Sequence, residues 1–144
     1  MYYIGIDLGT SSLKLLLVDG DGAVLNTVSR DYPLCFPQPG WSEQSPADWW
    51  NAVKEGLPEL LHGFDAAQVA GIGCGGQMHG LVMLDENGDV IRPSIIWCDQ
   101  RTSKECDEIT QKVGAQRLIE ITANPALPGF TASKILWVKN HEPE

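Results

Sequence analysis

The chain opens on two short apolar, β-rich runs, residues 2–8 (YYIGIDL) and 13–18 (LKLLLV), separated by Gly9-Thr10-Ser11-Ser12. Short runs of this kind bounded by turn formers predict strands. Asp19-Gly20-Asp21-Gly22 closes the second run as a strong turn, and residues 23–32 alternate enough for a third strand. Three strands joined so tightly predict an antiparallel meander. The carboxylates of that turn resemble the start of a calcium loop, but the position of the closing Glu holds Arg30, so a turn is expected.

Residues 33–44 carry Pro33, Pro37, Pro39 and Gly40 and read as a loop. Ser45-Pro46 then starts a helix, with Ser45 as cap, Pro46 at the first position and Asp48 favouring the dipole. Trp49, Trp50, Val53, Leu57, Leu60 and Leu61 recur at helical spacing, while Gly56 and Pro58 are expected to kink or end the helix early. Residues 69–76 (VAGIGCGG) read as a buried strand, 81–84 and 91–97 as further strands, and 102–113, 115–121 and 131–141 as helices. In the last, Thr131 is the expected cap, and Ile135, Leu136 and Val138 are expected to pack inward. Meander, helix, strands and helices in that order predict an α/β fold with a mixed sheet flanked by helices.

At 144 residues the chain suits one compact domain, residues 1–144, with enough bulk for a core. Nineteen acidic against ten basic residues, a formal charge of -9, argue against a nucleic-acid surface or an anionic membrane as partner. Small polyanions stay open, because backbone N–H groups can supply the positive potential. No run approaches the length of a spanning helix, and no basic-then-apolar leader opens the chain. Cys35, Cys74, Cys98 and Cys106 form no Cys-x-x-Cys pair and no histidine lies at ligand spacing, so free thiols in a reducing cytoplasm are expected.

Chemistry concentrates in a few segments. Asp7 at a strand end, followed by Gly9, Thr10, Ser11 and Ser12, suits the terminal phosphates of a nucleotide. The glycine allows close backbone approach, turn N–H groups and hydroxyls donate to phosphate oxygens, Asp7 holds Mg²⁺, and Lys14 adds a mobile positive charge. A plain hairpin whose Asp caps a turn is the competing reading. No G-x-x-x-x-G-K-[ST] string occurs. Gly71 to Gly76 formally fits G-x-G-x-x-G, but no helix starts inside the glycines, so dinucleotide binding is not expected. Gln77-Met78-His79-Gly80 is a polar patch between apolar strands, able to hydrogen-bond a polyol or to serve structure alone. Asp99 and Arg101 could touch a ligand; equally, Asp99 could cap the next helix and Arg101 pair with an acid.

Together these segments resemble the N-terminal lobe of the FGGY family of carbohydrate kinases. Asp7-x-Gly9-Thr10-Ser11-Ser12-x-Lys14 looks like the first phosphate motif of the superfamily. Gly129 to His141, with Thr131, Lys134, Trp137 and Asn140, is similar to a family signature at every fixed position, and Gly40-Trp41-x-Glu43-x-x-Pro46 also looks like the family. The resemblance implies a ribonuclease-H-like, actin-like ATPase lobe and a cytoplasmic ATP- and Mg²⁺-dependent sugar kinase. Its site residues would be Asp7 (catalytic and metal-binding), Gly9, Thr10, Ser11, Ser12 and Lys14 (phosphate), and Gln77, Met78 and His79 (sugar). Gln77-Met78-His79-Gly80 is similar to the D-xylulose kinases, whereas gluconate kinases tend to carry Ser after Met-His. Relatives are several times longer. The lobe is therefore expected to be truncated, with the nucleoside-binding lobe and the catalytic base outside it, and to be inactive alone. A homodimer of the complete enzyme is compatible with the resemblance. Other FGGY substrates (gluconate, ribulose, a polyol) are the nearer alternative, and a non-enzymatic actin-like nucleotide- or sugar-binding module is the rival from another class.

Overall fold

The computed structural model describes residues 1–143, which divide into two compact units. The first comprises Met1–Leu34 and Ser45–Gln77. Its sheet runs β3-β2-β1-β5, with β1 (Tyr2–Leu8), β2 (Ser12–Asp19) and β3 (Val24–Asp31) as the antiparallel meander and β5 (Val69–Gly76) parallel to β1. The mixed sheet and its meander are thus as expected. Asp19 fixes the β2–β3 turn by accepting from the N–H groups of Asp21 and Ala23, while Gly22 takes a φ of 86°.

Alternation sets the faces of this sheet. Ile4, Leu13, Leu15, Leu17 and Val28 are buried on one face and pack with Ala52, Val53 and Leu60 of α1 (Pro46–Leu60). That helix corrects the sequence reading. It runs unbroken through Gly56 and Pro58, because both serve or spare the packing. A Cβ on Gly56 would sit 2.6 Å from Leu15 Cδ1, so the glycine permits close contact with β2. Pro58 is exposed in the last turn, where the carbonyl it leaves unpaired can meet water. Ser45 occupies the cap position but makes no side-chain cap bond, and Trp50 faces solvent.

The second unit is Cys35–Gln44 together with the chain from Met78 on. Among the described residues of this unit only β4 (Glu43–Gln44) and β6 (Ser94–Ile95) form a ladder; the strands expected at 81–84 and 91–97 reduce to β6 and to isolated bridges Leu81–Ile95 and Leu84–Val90. Leu81 and Ile95 are buried and Met83 packs against the same cluster, but Val82, Leu84, Val90 and Ile91 are exposed, so burial holds only a short part of this apolar stretch in register. Helices α2 (Ser103–Val113), α3 (Ala115–Thr122) and α4 (Thr131–His141) follow. Thr131 begins α4 instead of capping it; Phe130 holds the cap position. The inward face of α4 is Ser133, Lys134, Trp137 and Val138; Val138 is buried as expected, Leu136 only partly, and Ile135 is exposed.

A charged core organises this unit. Arg101 spans Asp99 (Nη2–Oδ2 2.7 Å) and Glu43 (Nη1–Oε1 2.8 Å), and Arg92 reaches Glu43 (2.8 Å) and Glu142 (2.7 Å). The Arg101 guanidinium lies 3.8 Å from the Trp41 ring centroid and 4.8 Å from that of Trp137. Asp99 also accepts from the Ser42 N–H at 2.6 Å. Pairing of Arg101 with acids is therefore what the structure shows, whereas Asp99 does not cap α2, whose cap position is Thr102.

Candidate functional site

Asp7 lies in β1 on the sheet face that α1 does not cover, opposite Lys14 in β2 and Gly75 in β5. Both Asp7 and Lys14 are exposed. The neighbouring positions on this face are Gly5, Leu16, Gly73 and Gly75; Leu16 borders Gly5, whereas a Cβ built on Gly73 or Gly75 meets nothing within 4 Å. The carboxylate and the amine thus border a floor of bare backbone, open for a ligand to lie against the sheet.

The β1–β2 connection is the Gly9-Thr10-Ser11 loop. Gly9 N–H donates to Ser12 O at 3.0 Å, and a Cβ on Gly9 would meet that oxygen at 3.0 Å, which accounts for glycine there. Sequence reasoning missed the residue that holds this loop from the side. Tyr32, buried just after β3, donates its hydroxyl to Gly9 O and its N–H to Ser11 O at 3.3 Å. Burial and the nearby Asp7 carboxylate push its phenol up to about 12. The meander register contained the signal, because pairing of Ser12 with Asp31 sets Tyr32 beside Ser11.

Gln77 continues from β5 and donates its N–H to Leu8 O at 2.7 Å, so the end of β5 is tied to the end of β1. Within the second unit Met78 and His79 are both exposed, Met78 at 70%. His79 has a φ of 61°, the left-handed region that side chains seldom adopt, and its ring packs at 4.8 Å on Phe130. Lys134, fully buried, donates from Nζ to His79 O at 2.7 Å and to Gly129 O at 2.8 Å. Desolvation lowers the pKa of that amine to about 8. His79 also borders a cavity of about 240 Å³ walled by Ile109, Leu118, Leu127 and Phe130, which is too apolar to satisfy a polyol.

A metal would find one carboxylate here. Among the described residues no three His, Cys, Asp or Glu side chains gather to hold an ion. Mg²⁺ is commonly held by one or two carboxylates with waters and substrate phosphates, so exposed Asp7 beside open backbone fits that cation.

The model of the FGGY family of carbohydrate kinases, N-terminal domain, matches residues 2–144. The chain belongs to this family. It is 50% identical over 146 residues to the xylulose kinase of Lactococcus lactis, covering 99% of this chain and 29% of that protein. The solved xylulose kinase of Rhodospirillum rubrum superposes with a TM-score of 0.93 at 33% identity, covering 99% of this chain and 30% of that one. The gluconate kinase of Lactobacillus acidophilus superposes with a TM-score of 0.90 at 31% identity, covering 99% and 29%. The chain spans 29% of the length of the curated xylulose kinases it matches in Lactococcus lactis and Bacillus subtilis. The fold is therefore that of an FGGY kinase N-terminal domain, of the actin-like class. Among the described residues no helix is long and apolar enough to cross a membrane.

Proposed function

We propose that this chain is the amino-terminal part of an ATP-dependent sugar kinase that phosphorylates D-xylulose on its C5 hydroxyl. The observation that carries the reading is the open face of the first sheet, where Asp7 and Lys14 flank a glycine floor at the mouth of the Gly9–Ser12 loop. Phosphoryl transfer asks little covalent chemistry of a protein and depends on positioning and on charge neutralisation. The loop backbone with Thr10, Ser11 and Ser12 would face phosphate oxygens, Lys14 would offset their charge, and Asp7 would hold Mg²⁺ through water. When bound, the cation supplies charge neutralisation on the phosphates. Gln77, Met78 and His79 would border the ketose, whose proton passes to a base outside these residues.

The xylulose preference is supported by identities of 48% and 50% to two xylulose kinases and by the Gln77-Met78-His79-Gly80 pattern. The test is ATP-dependent phosphorylation by the longer polypeptide, offered D-xylulose, D-ribulose, gluconate and glycerol in parallel. Preference for D-xylulose by at least tenfold in kcat/KM is expected. Preference for gluconate would move the chain to another branch of the family, and nucleotide binding without sugar turnover would favour the non-enzymatic module.

A further inference from the structure

We propose that Lys134 is a positioning residue for the sugar site, one that fixes the backbone of His79 so that its ring is presented to the substrate. The inference rests on the sugar-kinase reading above. A buried lysine normally requires a reason, because taking an ammonium out of water is costly unless it is well partnered. Here the amine has two carbonyl partners, His79 O at 2.7 Å and Gly129 O at 2.8 Å, on a side chain with no exposed surface.

The two partners differ in how firmly they are held. The 127–130 loop is tied by other bonds: Phe130 N–H donates to Leu127 O, and the single Ser133 Oγ proton has Leu127 O and Phe130 O within reach while Oγ lies 3.0 Å from Thr102 Oγ1. Gly129 has little room to shift on the side where a Cβ would meet Trp97 O at 3.1 Å. His79, by contrast, is a side-chain-bearing residue at φ 61° on an exposed segment, a left-handed conformation that side chains adopt only when their surroundings hold them there. The anchored loop thus acts through the Lys134 amine to hold the strained residue. Phe130, from the same loop, sets the tilt of the imidazole by contact with its ring. Lys134 shares the buried face of α4 with Ser133, Trp137 and Val138.

A merely structural lysine and a positioning lysine give different kinetics. In the longer polypeptide, Lys134→Met is expected to raise KM for D-xylulose at least tenfold, with KM for ATP within about twofold of the parent. In a His79→Ala background the same change is expected to add less than twofold, because the group it positions is gone. Lys134→Gln, which keeps one amide donor, is expected to fall between; it carries the test if Lys134→Met fails to fold by circular dichroism. An unchanged sugar KM in a folded Lys134 variant overturns the inference, as does full additivity with His79→Ala. If His79→Ala itself leaves the sugar KM unchanged, the sugar-site reading fails and takes this inference with it.

Discussion

The phenolic hydroxyl of Tyr32 donates a hydrogen bond to the carbonyl oxygen of Gly9. The strand that follows the meander turn thereby supports the loop that opens toward the glycine floor. Tyr32→Phe removes the bond and keeps the buried ring. A net hydrogen bond is worth about 1 kcal/mol, so KM for ATP in the longer polypeptide is expected to rise roughly threefold to tenfold while the sugar KM stays within about twofold. Steady-state kinetics with each substrate varied checks this; equal changes in both would place Tyr32 in general stability.

The same phenol should titrate late. Its value of about 12 in the folded chain lies above the ordinary 10.0. Between these values the unfolded chain has lost the proton and the folded chain keeps it. This group's contribution to stability is therefore intact below pH 10 and falls as pH rises toward 12. Absorbance titration at 295 nm should show a late phase belonging to Tyr32. Tyr32→Phe should remove the late phase.

Gly75→Val separates site from fold. A Cβ at Gly75 meets nothing within 4 Å, and valine suits a strand. The melting temperature is expected to change by a few degrees at most. The branched side chain would nonetheless stand beside Asp7, and kcat/KM is expected to fall by about 10²-fold, the scale a small misplacement of reacting groups causes. Retained activity would mean that the ligand lies elsewhere.

Gly56→Ala tests the opposite kind of glycine. The added methyl lands 2.6 Å from Leu15 Cδ1, inside the core. Overpacking costs about 1–3 kcal/mol, and better helix propensity returns about 1 kcal/mol. A net loss on the order of 1 kcal/mol is expected in urea denaturation. A stabilised variant would show that α1 does not need the close approach.

Arg101→Met leaves Asp99 and Glu43, both buried, without their shared cation. Breaking one partner out of a buried pair costs about 3–5 kcal/mol. Loss of cooperative unfolding in the second unit is expected, and Arg101→Lys should recover little, since a point charge cannot reach both acids and cover Trp41. Denaturation followed by tryptophan fluorescence reads the effect.

These cases mark how far the amino-acid sequence is legible. Alternation and turn formers place β1, β2 and β3 closely, because one face of that part of the sheet is buried and enforces period two; β5 lies where expected but is mostly exposed and not the buried strand its apolar run suggested. Residues 81–84 and 91–97 look equally strand-like, yet only Ser94–Ile95 join a ladder; Leu81, Ile95 and Ile96 are buried, while Val82, Leu84 and Ile91 stay exposed. Nothing local to Lys134 signals its burial, which depends on carbonyls supplied by Gly129 and His79, the latter 55 residues away. Likewise Asp99 and Arg101 read equally as ligand or structural groups, and the structural partners of Arg101, Glu43 and Trp41, lie more than fifty positions earlier. Contacts distant along the chain are what local pattern cannot supply.

The left-handed backbone at His79 sets two selection pressures against each other. Glycine would relax that torsion, so a screen rewarding heat resistance alone should accept it there and enrich robust variants deaf to the ketose. A screen for growth on the sugar should restore the imidazole and accept the tension that comes with it.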